Sequence, residues 1–160
     1  RRVNELFDRI LVAEPNAAFG RRLFPYYRLT GSSEALRTIR GILDGLIEES
    51  ERLGKDRLME SVGLRDPWFT VIEGLADMYE LTGEAKYADL AKIDFPVAMK
   101  KAGDHSHGHM HVLRAMLKMA KVTGDGWFLD QVKPHYDKLI ADQHADGSIS
   151  ECLPRSYRNE

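Results

Sequence analysis

YRLTGS at residues 27–32 returns as YELTGE at residues 79–84 and as AKVTGD at residues 120–125. Each copy has an apolar residue, then Thr-Gly, and then Ser, Glu or Asp. The glycine suits the left-handed position that follows the last turn of a helix, and the residue after it favours the start of the next helix. The repeat therefore predicts three helical hairpins.

The spacing of apolar residues also indicates helices. Apolar side chains recur at i, i+3, i+4 and i+7, the spacing of one helical face, in five segments. These segments are 3–11, 39–47, 67–79, 113–120 and 128–140. The second lies inside a predicted helix over 33–53, which Ser32 or Ser33 would cap. Tyr87 and Phe128 each follow a repeated glycine by four residues, so both are expected to pack the second helix of a hairpin against the first.

These patterns predict an all-α chain, with at most one short strand or hairpin arm at 148–153. Helical hairpins stack into an open solenoid or close into an (α/α) toroid. The unequal spacing of the repeats favours the toroid, as do three connections expected to be long and irregular: 52–67, 100–106 and 143–160. Three hairpins would form half of an (α/α)6 barrel. Residues 1–160 are therefore interpreted as a single, incomplete barrel domain and as a fragment, whose uncovered apolar faces would favour a homo-oligomer.

Composition excludes several classes of function. The chain has 23 Lys and Arg against 25 Asp and Glu, with a net charge of −2, so a nucleic-acid partner is not expected. No apolar stretch is long enough to cross a membrane, and no signal-peptide core follows Arg1-Arg2. A soluble chain is predicted, with the cytoplasm slightly favoured. Cys152 is the only cysteine and cannot form an internal disulfide.

The densest polar cluster has histidines at alternate positions, namely His105, His107, His109 and His111. At 100° per residue, His109 projects with Leu113, whereas His107 and His111 lie near Arg114 on another face. A pair of histidines spaced i, i+4 can share a metal ion, but the glutamate of a His-Glu-x-x-His motif is missing. Two other interpretations stay open: solvated or loop-satisfying histidines, and histidines that line a polar ligand cavity.

Carboxylates are the second group of candidates, because glycoside hydrolysis commonly uses a pair of them. Those in predicted loops, such as Asp146, Glu151 and Glu160, are better placed for chemistry than those on helix faces, such as Asp77, which is expected to be solvated. The sequence cannot pair them.

The chain has three Thr-Gly hairpins, a His-Ser-His-Gly-His-Met entry to a helix, Asp146-Gly147 and the closing residues 158–160. From about Phe24 onward, these features together resemble the N-terminal half of a β-L-arabinofuranosidase-type glycoside hydrolase domain. The resemblance implies an (α/α)6 barrel that removes arabinofuranosyl or related sugars from glycans. It implies a cysteine nucleophile in a zinc site containing a Glu-x-Cys motif. The thiolate form of such a cysteine is the nucleophile.

By this resemblance Glu160 is the Glu of Glu-x-Cys, hence a catalytic residue and a zinc ligand, with zinc expected in the full-length chain only. One or more of His107, His109 and His111 would contact the sugar. The sequence departs from the pattern because it stops at Glu160, before the nucleophile, and Cys152 has the wrong spacing. This chain alone is therefore expected to lack the complete catalytic site.

The leading interpretation is thus a carbohydrate-active glycoside hydrolase or a fragment of one. A helical-hairpin scaffold that binds a protein partner is the alternative. A different toroid enzyme, such as a sugar epimerase or a polysaccharide lyase, would use the histidines as acid and base.

Overall fold

Six helices account for most of the chain in this computed structural model, which describes residues 17–53, 71–103 and 105–153. They are α1 (Ala17–Thr30), α2 (Ser33–Leu53), α3 (Val71–Thr82), α4 (Ala85–Ala102), α5 (Ser106–Thr123) and α6 (Gly126–Ala141). The described residues form no strand, which confirms the all-α prediction. The segment predicted helical at 3–11, and the start of the one at 67–79, lie outside the described residues.

The three repeated hexapeptides form three turns with the same hydrogen bonds. Their glycines, Gly31, Gly83 and Gly124, have φ of +67°, +69° and +71°. Each glycine N–H donates to the carbonyl four residues earlier, at 2.7–2.9 Å. The threonine hydroxyl donates to the carbonyl four residues before it at 2.7–2.8 Å and accepts from the N–H two residues after it at 3.1–3.2 Å. Threonine thus satisfies backbone groups at the end of the helix that would otherwise have no partner.

The residue after each glycine begins the next helix in two different ways. Ser32 accepts the Ala35 N–H at 3.3 Å, and Asp125 accepts the Trp127 N–H at 2.9 Å, so both cap a helix as predicted. Glu84 makes no side-chain cap hydrogen bond. Its carboxylate instead contacts the side chains of neighbouring cations.

The hairpins lie side by side in two rows. α3 packs against both α1 and α5, so the first helices of the hairpins (α1, α3 and α5) form what we term the inner row. The second helices, α2, α4 and α6, form the outer row. Each of them packs on its own hairpin partner or on the neighbouring hairpin. Between α4 and α6, the ring centroids of Phe95 and His135 are 5.7 Å apart. This is the predicted hairpin array. Closure of the array into a ring stays a prediction.

The apolar core lies between the two rows. The position four residues after each repeated glycine is fully buried in all three hairpins, where it holds Ala35, Tyr87 and Phe128. The prediction for Tyr87 and Phe128 is therefore confirmed. α3 is buried along most of its length, because neighbouring hairpins cover it on both sides.

One local prediction was wrong, and one possible strand does not form. The connection predicted to be long at 100–106 is only residues 103–105, because α4 continues to Ala102 and α5 begins at Ser106. Residues 148–153 form no strand: within the described residues their ladder contact is a single bridge between His105 and Cys152. The segment still returns over the start of α5, where the Ser106 N–H donates to the Glu151 carbonyl at 2.9 Å.

None of the helices in the described ranges is both long and apolar enough to cross a lipid bilayer.

Gly124 provides a direct test of the turn chemistry. We expect Gly124→Ala to lower the free energy of unfolding by about 1–2 kcal/mol, because an L side chain is strained in the left-handed conformation. No atom lies within 4 Å of the added Cβ, so the cost is conformational and not steric. Urea denaturation measures it. Gly45→Ala is the matched control: its Cβ also meets open space, and inside helix α2 alanine is expected to stabilise by about 0.5–1 kcal/mol. Equal effects of the two substitutions would contradict the prediction.

Candidate functional site

A polar groove runs over the inner row. It has a volume of about 450 Å³ and is lined by one side of each inner helix: Phe24, Pro25 and Arg28 of α1, Glu73 and Asp77 of α3, and Arg114 and Lys118 of α5. We call it the inner-face groove. Helical periodicity explains its make-up, because Glu73 and Asp77 are four residues apart on α3, as are Arg114 and Lys118 on α5, and each pair therefore shares a face.

Asp77 is the most buried charge of the groove. The residue is 6% exposed, and its two carboxylate oxygens face different helices. Oδ1 accepts from Arg28 Nη2 of α1 at 2.7 Å, and Oδ2 lies 2.7 Å from Lys118 Nζ of α5. Two cations therefore compensate the desolvation of this carboxylate. The expectation that Asp77 is solvated was wrong, because residues far away in sequence cover it.

Further ion pairs follow the groove on both sides of Asp77. Arg28 also donates to Glu80 Oε2 at 2.6 Å, and Arg114 donates to Glu73 Oε2 at 2.8 Å. Arg114 and Lys118 each bridge α5 to α3, while Arg28 bridges α1 to α3. The groove thus presents carboxylates and cations in alternation, and it offers hydrogen-bond acceptors and donors within one surface.

The histidine pair His107 and His111 extends this surface toward the start of α5. A smaller pocket of about 120 Å³ is lined by His107, Met110, His111 and Arg114, so Arg114 borders both cavities. The two imidazole rings are 4.6 Å apart, and Arg114 Nη2 lies 3.4 Å from His111 Nδ1. The helical-face argument therefore placed His107 and His111 with Arg114 correctly. We call this smaller cavity the histidine pocket.

The structure does not bring His109 into this pocket. The residue is 1% exposed, and its Nε2–H donates to the Gly103 carbonyl at 2.8 Å. His109 therefore ties the start of α5 to the connection from α4. His105 is the N-cap of α5: its Nδ1 accepts from the Gly108 N–H at 3.2 Å. Of the three histidines expected to contact sugar, His109 serves the fold, and the other two line a cavity.

Glu160, the expected catalytic residue and zinc ligand, lies outside the described residues. Cys152 is exposed and free, with its backbone bridged to His105. Across the described ranges, no group of three or more His, Cys, Asp or Glu side chains is arranged to hold a metal ion. The residues present there do not fit a zinc site.

A second charged cluster joins α2 to α4 on the outer row. Asp44 accepts from Tyr87 Oη at 2.8 Å and pairs with Lys86 Nζ at 2.8 Å. Burial, together with the hydrogen bond to Asp44, raises the pKa of Tyr87 to about 12. Burial acts to raise the pKa of Asp44, but hydrogen bonds from Lys86 and Tyr87 outweigh it, and the net pKa is lowered. The hydrogen bond to Asp44 raises the pKa of Lys86. These groups satisfy one another between two helices, which is a structural arrangement.

Sequence reasoning did not single out Arg28 or Glu73 of the groove, and it expected Asp77 to be solvated. One signal was present: Glu73 and Asp77 are the two charges, one turn apart, in an otherwise apolar first part of α3. A carboxylate at such a position is expected to be paired with a cation. The partners, however, come from α1 and α5 and could not be assigned by spacing.

Comparison with known proteins identifies no relative: no protein-family model, curated protein or solved structure matches this chain. The resemblance to arabinofuranosidase-type domains therefore rests on the short motifs quoted above. The geometry of the inner-face groove and of the histidine pocket is an observation about function that does not depend on this resemblance.

Proposed function

We propose that the inner-face groove and the histidine pocket bind carbohydrate, and that the chain is part of a glycoside hydrolase-like protein acting on arabinofuranosyl or related sugar residues. The supporting observation is the continuous surface on which Arg114 borders both cavities. Carboxylates, cations and imidazoles line this surface within one face of the inner row.

The chemistry of the surface suits a sugar. Each sugar hydroxyl both donates and accepts hydrogen bonds, and the groove supplies acceptors at Glu73 and Asp77 beside donors at Arg114 and Lys118. Phe24 and Pro25 contribute apolar lining, against which the C–H face of a sugar ring can pack. Because the charges compensate one another, the groove suits a neutral ligand better than a strongly charged one.

The catalytic part of the proposal rests on residues outside this surface. Glu160 would supply a carboxylate to zinc in the full-length chain, and zinc lowers the pKa of a thiol ligand. The part that we propose for the described residues is to bind and orient the sugar.

Arg114→Ala tests the binding proposal. Titration of the chain with methyl β-L-arabinofuranoside and with an arabinan oligosaccharide, followed by amide chemical shifts, should give shifts centred on Arg114, His107 and His111. We expect the substitution to weaken binding by about tenfold or more, because a hydrogen bond from a charged group contributes about 1.5–3 kcal/mol.

Arg52→Ala is the matched control for this experiment. Arg52 is an exposed arginine that also pairs with a carboxylate, Glu49, at 2.6 Å, but it lies on α2 outside the groove. His144→Ala is the corresponding control for a paired His107→Ala and His111→Ala variant. If neither sugar binds, or if Arg114→Ala and Arg52→Ala have the same affinity, the proposal fails.

The alternative, a helical-hairpin scaffold that binds a protein, has one observation in its favour. Large apolar side chains are exposed on the last hairpin, among them Leu117, Leu129 and Tyr136. This surface is separate from the groove, so a sugar-binding groove and a protein contact do not exclude each other.

A further inference from the structure

The histidine pocket differs from the inner-face groove in its charge. Its lining within the described residues is His107, Met110, His111 and Arg114, with no carboxylate among them. The groove beside it is lined by carboxylates as well as by cations. A guanidinium has only N–H donors, and an imidazole keeps at least one N–H in either protonation state. The pocket therefore favours a ligand group that accepts hydrogen bonds.

Arg114 keeps N–H groups for such a ligand. Its two hydrogen bonds with described residues both use Nη2: one donates to Glu73 Oε2 at 2.8 Å, and a long one donates to His111 Nδ1 at 3.4 Å. Within the part of the chain that the structure describes, Nη1 and Nε make no further hydrogen bond to protein. Glu73 offsets part of the positive charge, but it also holds the guanidinium in place between α5 and α3. A guanidinium held in this way binds an anionic oxygen through charge-assisted hydrogen bonds.

The pocket has room for one substituent of a sugar and not for a whole ring. Its volume of about 120 Å³ is that of about four water molecules in the liquid. Sites that enclose a whole small molecule have volumes of about 300–1,000 Å³, and the groove, at about 450 Å³, lies within that range. Because Arg114 borders both cavities, a sugar in the groove can place a substituent in the pocket.

The sign of the charge separates two kinds of occupant. A metal ion bound to the two imidazoles would lie close to the guanidinium that contacts His111, and the two positive charges would repel each other. An anion is attracted by the same guanidinium. A carboxylate brings one negative charge, whereas a phosphate monoester brings nearly two. The one guanidinium of the pocket matches the carboxylate better.

We infer that the histidine pocket binds the carboxylate of a sugar acid while the inner-face groove holds the rest of the sugar. The inference rests on the proposed function and narrows its substrate class. The ligand is an acidic glycan in which a uronic acid residue adjoins a neutral arabinofuranosyl or related residue. The compensated charges of the groove suit the neutral residue, and the donors of the pocket suit the acid.

A matched pair of sugars tests the inference. Methyl α-galacturonide and methyl α-galactoside differ only at C6, which is a carboxylate in the first and a hydroxymethyl group in the second. Titration of the 160-residue chain, followed by amide chemical shifts, should show the galacturonide binding about tenfold more tightly. Raising NaCl from about 0.05 M to about 0.5 M should weaken galacturonide binding severalfold through screening. It should leave galactoside binding unchanged.

Substitution of Arg114 tests which group reads the charge. Arg114→Gln should make the two affinities equal, because it removes the charge but keeps a polar side chain. Arg114→Lys should keep part of the preference, because the charge remains without the planar fork. Arg52→Gln is the matched control and should keep the full preference. The side chain of Arg52 is 65% exposed against 58% for Arg114, and it also pairs with a glutamate. Circular dichroism checks that each variant is folded.

Acetate tests whether the sugar ring contributes. It should bind about tenfold more weakly than the galacturonide, because it has nothing to place in the groove. Acetate binding as tight as galacturonide binding would overturn the inference, since the pocket would then serve a small free acid. A galacturonide that binds no more tightly than the galactoside would also overturn it, as would an Arg114→Gln protein that keeps the wild-type preference.

Methyl β-L-arabinofuranoside, titrated in parallel, separates this inference from the proposed function. Binding of the arabinofuranoside without a preference for the galacturonide refutes the inference alone. A preference for the galacturonide without arabinofuranoside binding supports the inference and refutes the arabinofuranosyl part of the proposed function.

Discussion

Phe128→Ala should lower the free energy of unfolding by about 3–5 kcal/mol, the range for removing a buried aromatic ring. Phe128 is fully buried, four residues after the third Thr-Gly turn, where it joins α6 to the rest of the core. Its ring meets Trp127 edge-on at 5.2 Å, and Lys92 Nζ of α4 lies 5.5 Å from its centroid. The substitution therefore removes contacts within the hairpin and between hairpins.

Chemical denaturation measures this loss, and Leu29→Ala is its control. Leu29 is 87% exposed, so its truncation is expected to change stability by less than about 0.5 kcal/mol. The denaturant dependence of the free energy should stay the same in both variants if the native contacts alone change. A Phe128→Ala protein as stable as Leu29→Ala would mean that the third hairpin does not dock on the second in solution.

His109→Ala should lower the free energy of unfolding by about 2–4 kcal/mol. The imidazole is buried and donates to the Gly103 carbonyl at 2.8 Å, so its removal leaves both a cavity and a carbonyl without that donor. Gly103 itself has φ of +59°, and the connection 103–105 depends on this contact to enter α5. The substitution thus affects the connection as well as the core.

His107→Ala and His111→Ala are the matched controls, since both belong to the same helix turn region but line the histidine pocket. Each should leave the unfolding free energy within about 0.5 kcal/mol of the wild type. The sugar titration should give the opposite order of effects: His107→Ala and His111→Ala weaken sugar binding, whereas His109→Ala protein that is still folded retains it. If all three substitutions destabilise equally, the separation of one structural histidine from two histidines of the histidine pocket is wrong.

Local chemistry explains which predictions succeeded. A Thr-Gly turn is closed by hydrogen bonds that span four residues or fewer, so its conformation depends on the hexapeptide and on the residue just before it. The division of the histidines between two faces is also a local property, because the 100° rotation per residue separates His109 from His107 and His111 in any α-helix. Neither conclusion needed knowledge of neighbouring helices.

Longer-range contacts explain the predictions that were wrong. A long connection was expected at 100–106, but Met99 and Ala102 are buried and α4 continues to Ala102. The alternation at 148–153 favoured a strand, yet the described residues offer it one bridge at His105. Asp77 was expected in solvent, but Arg28 reaches it from 49 residues away.

The sequence by itself determined the helices, the three turns and the division of the histidines between two faces, because each depends on interactions within one or two turns of the chain. Only the tertiary structure decided that Arg28, Asp77 and Lys118 meet in one groove. That property depends on which helices lie side by side, and many residues separate the groups that then share one desolvated surface.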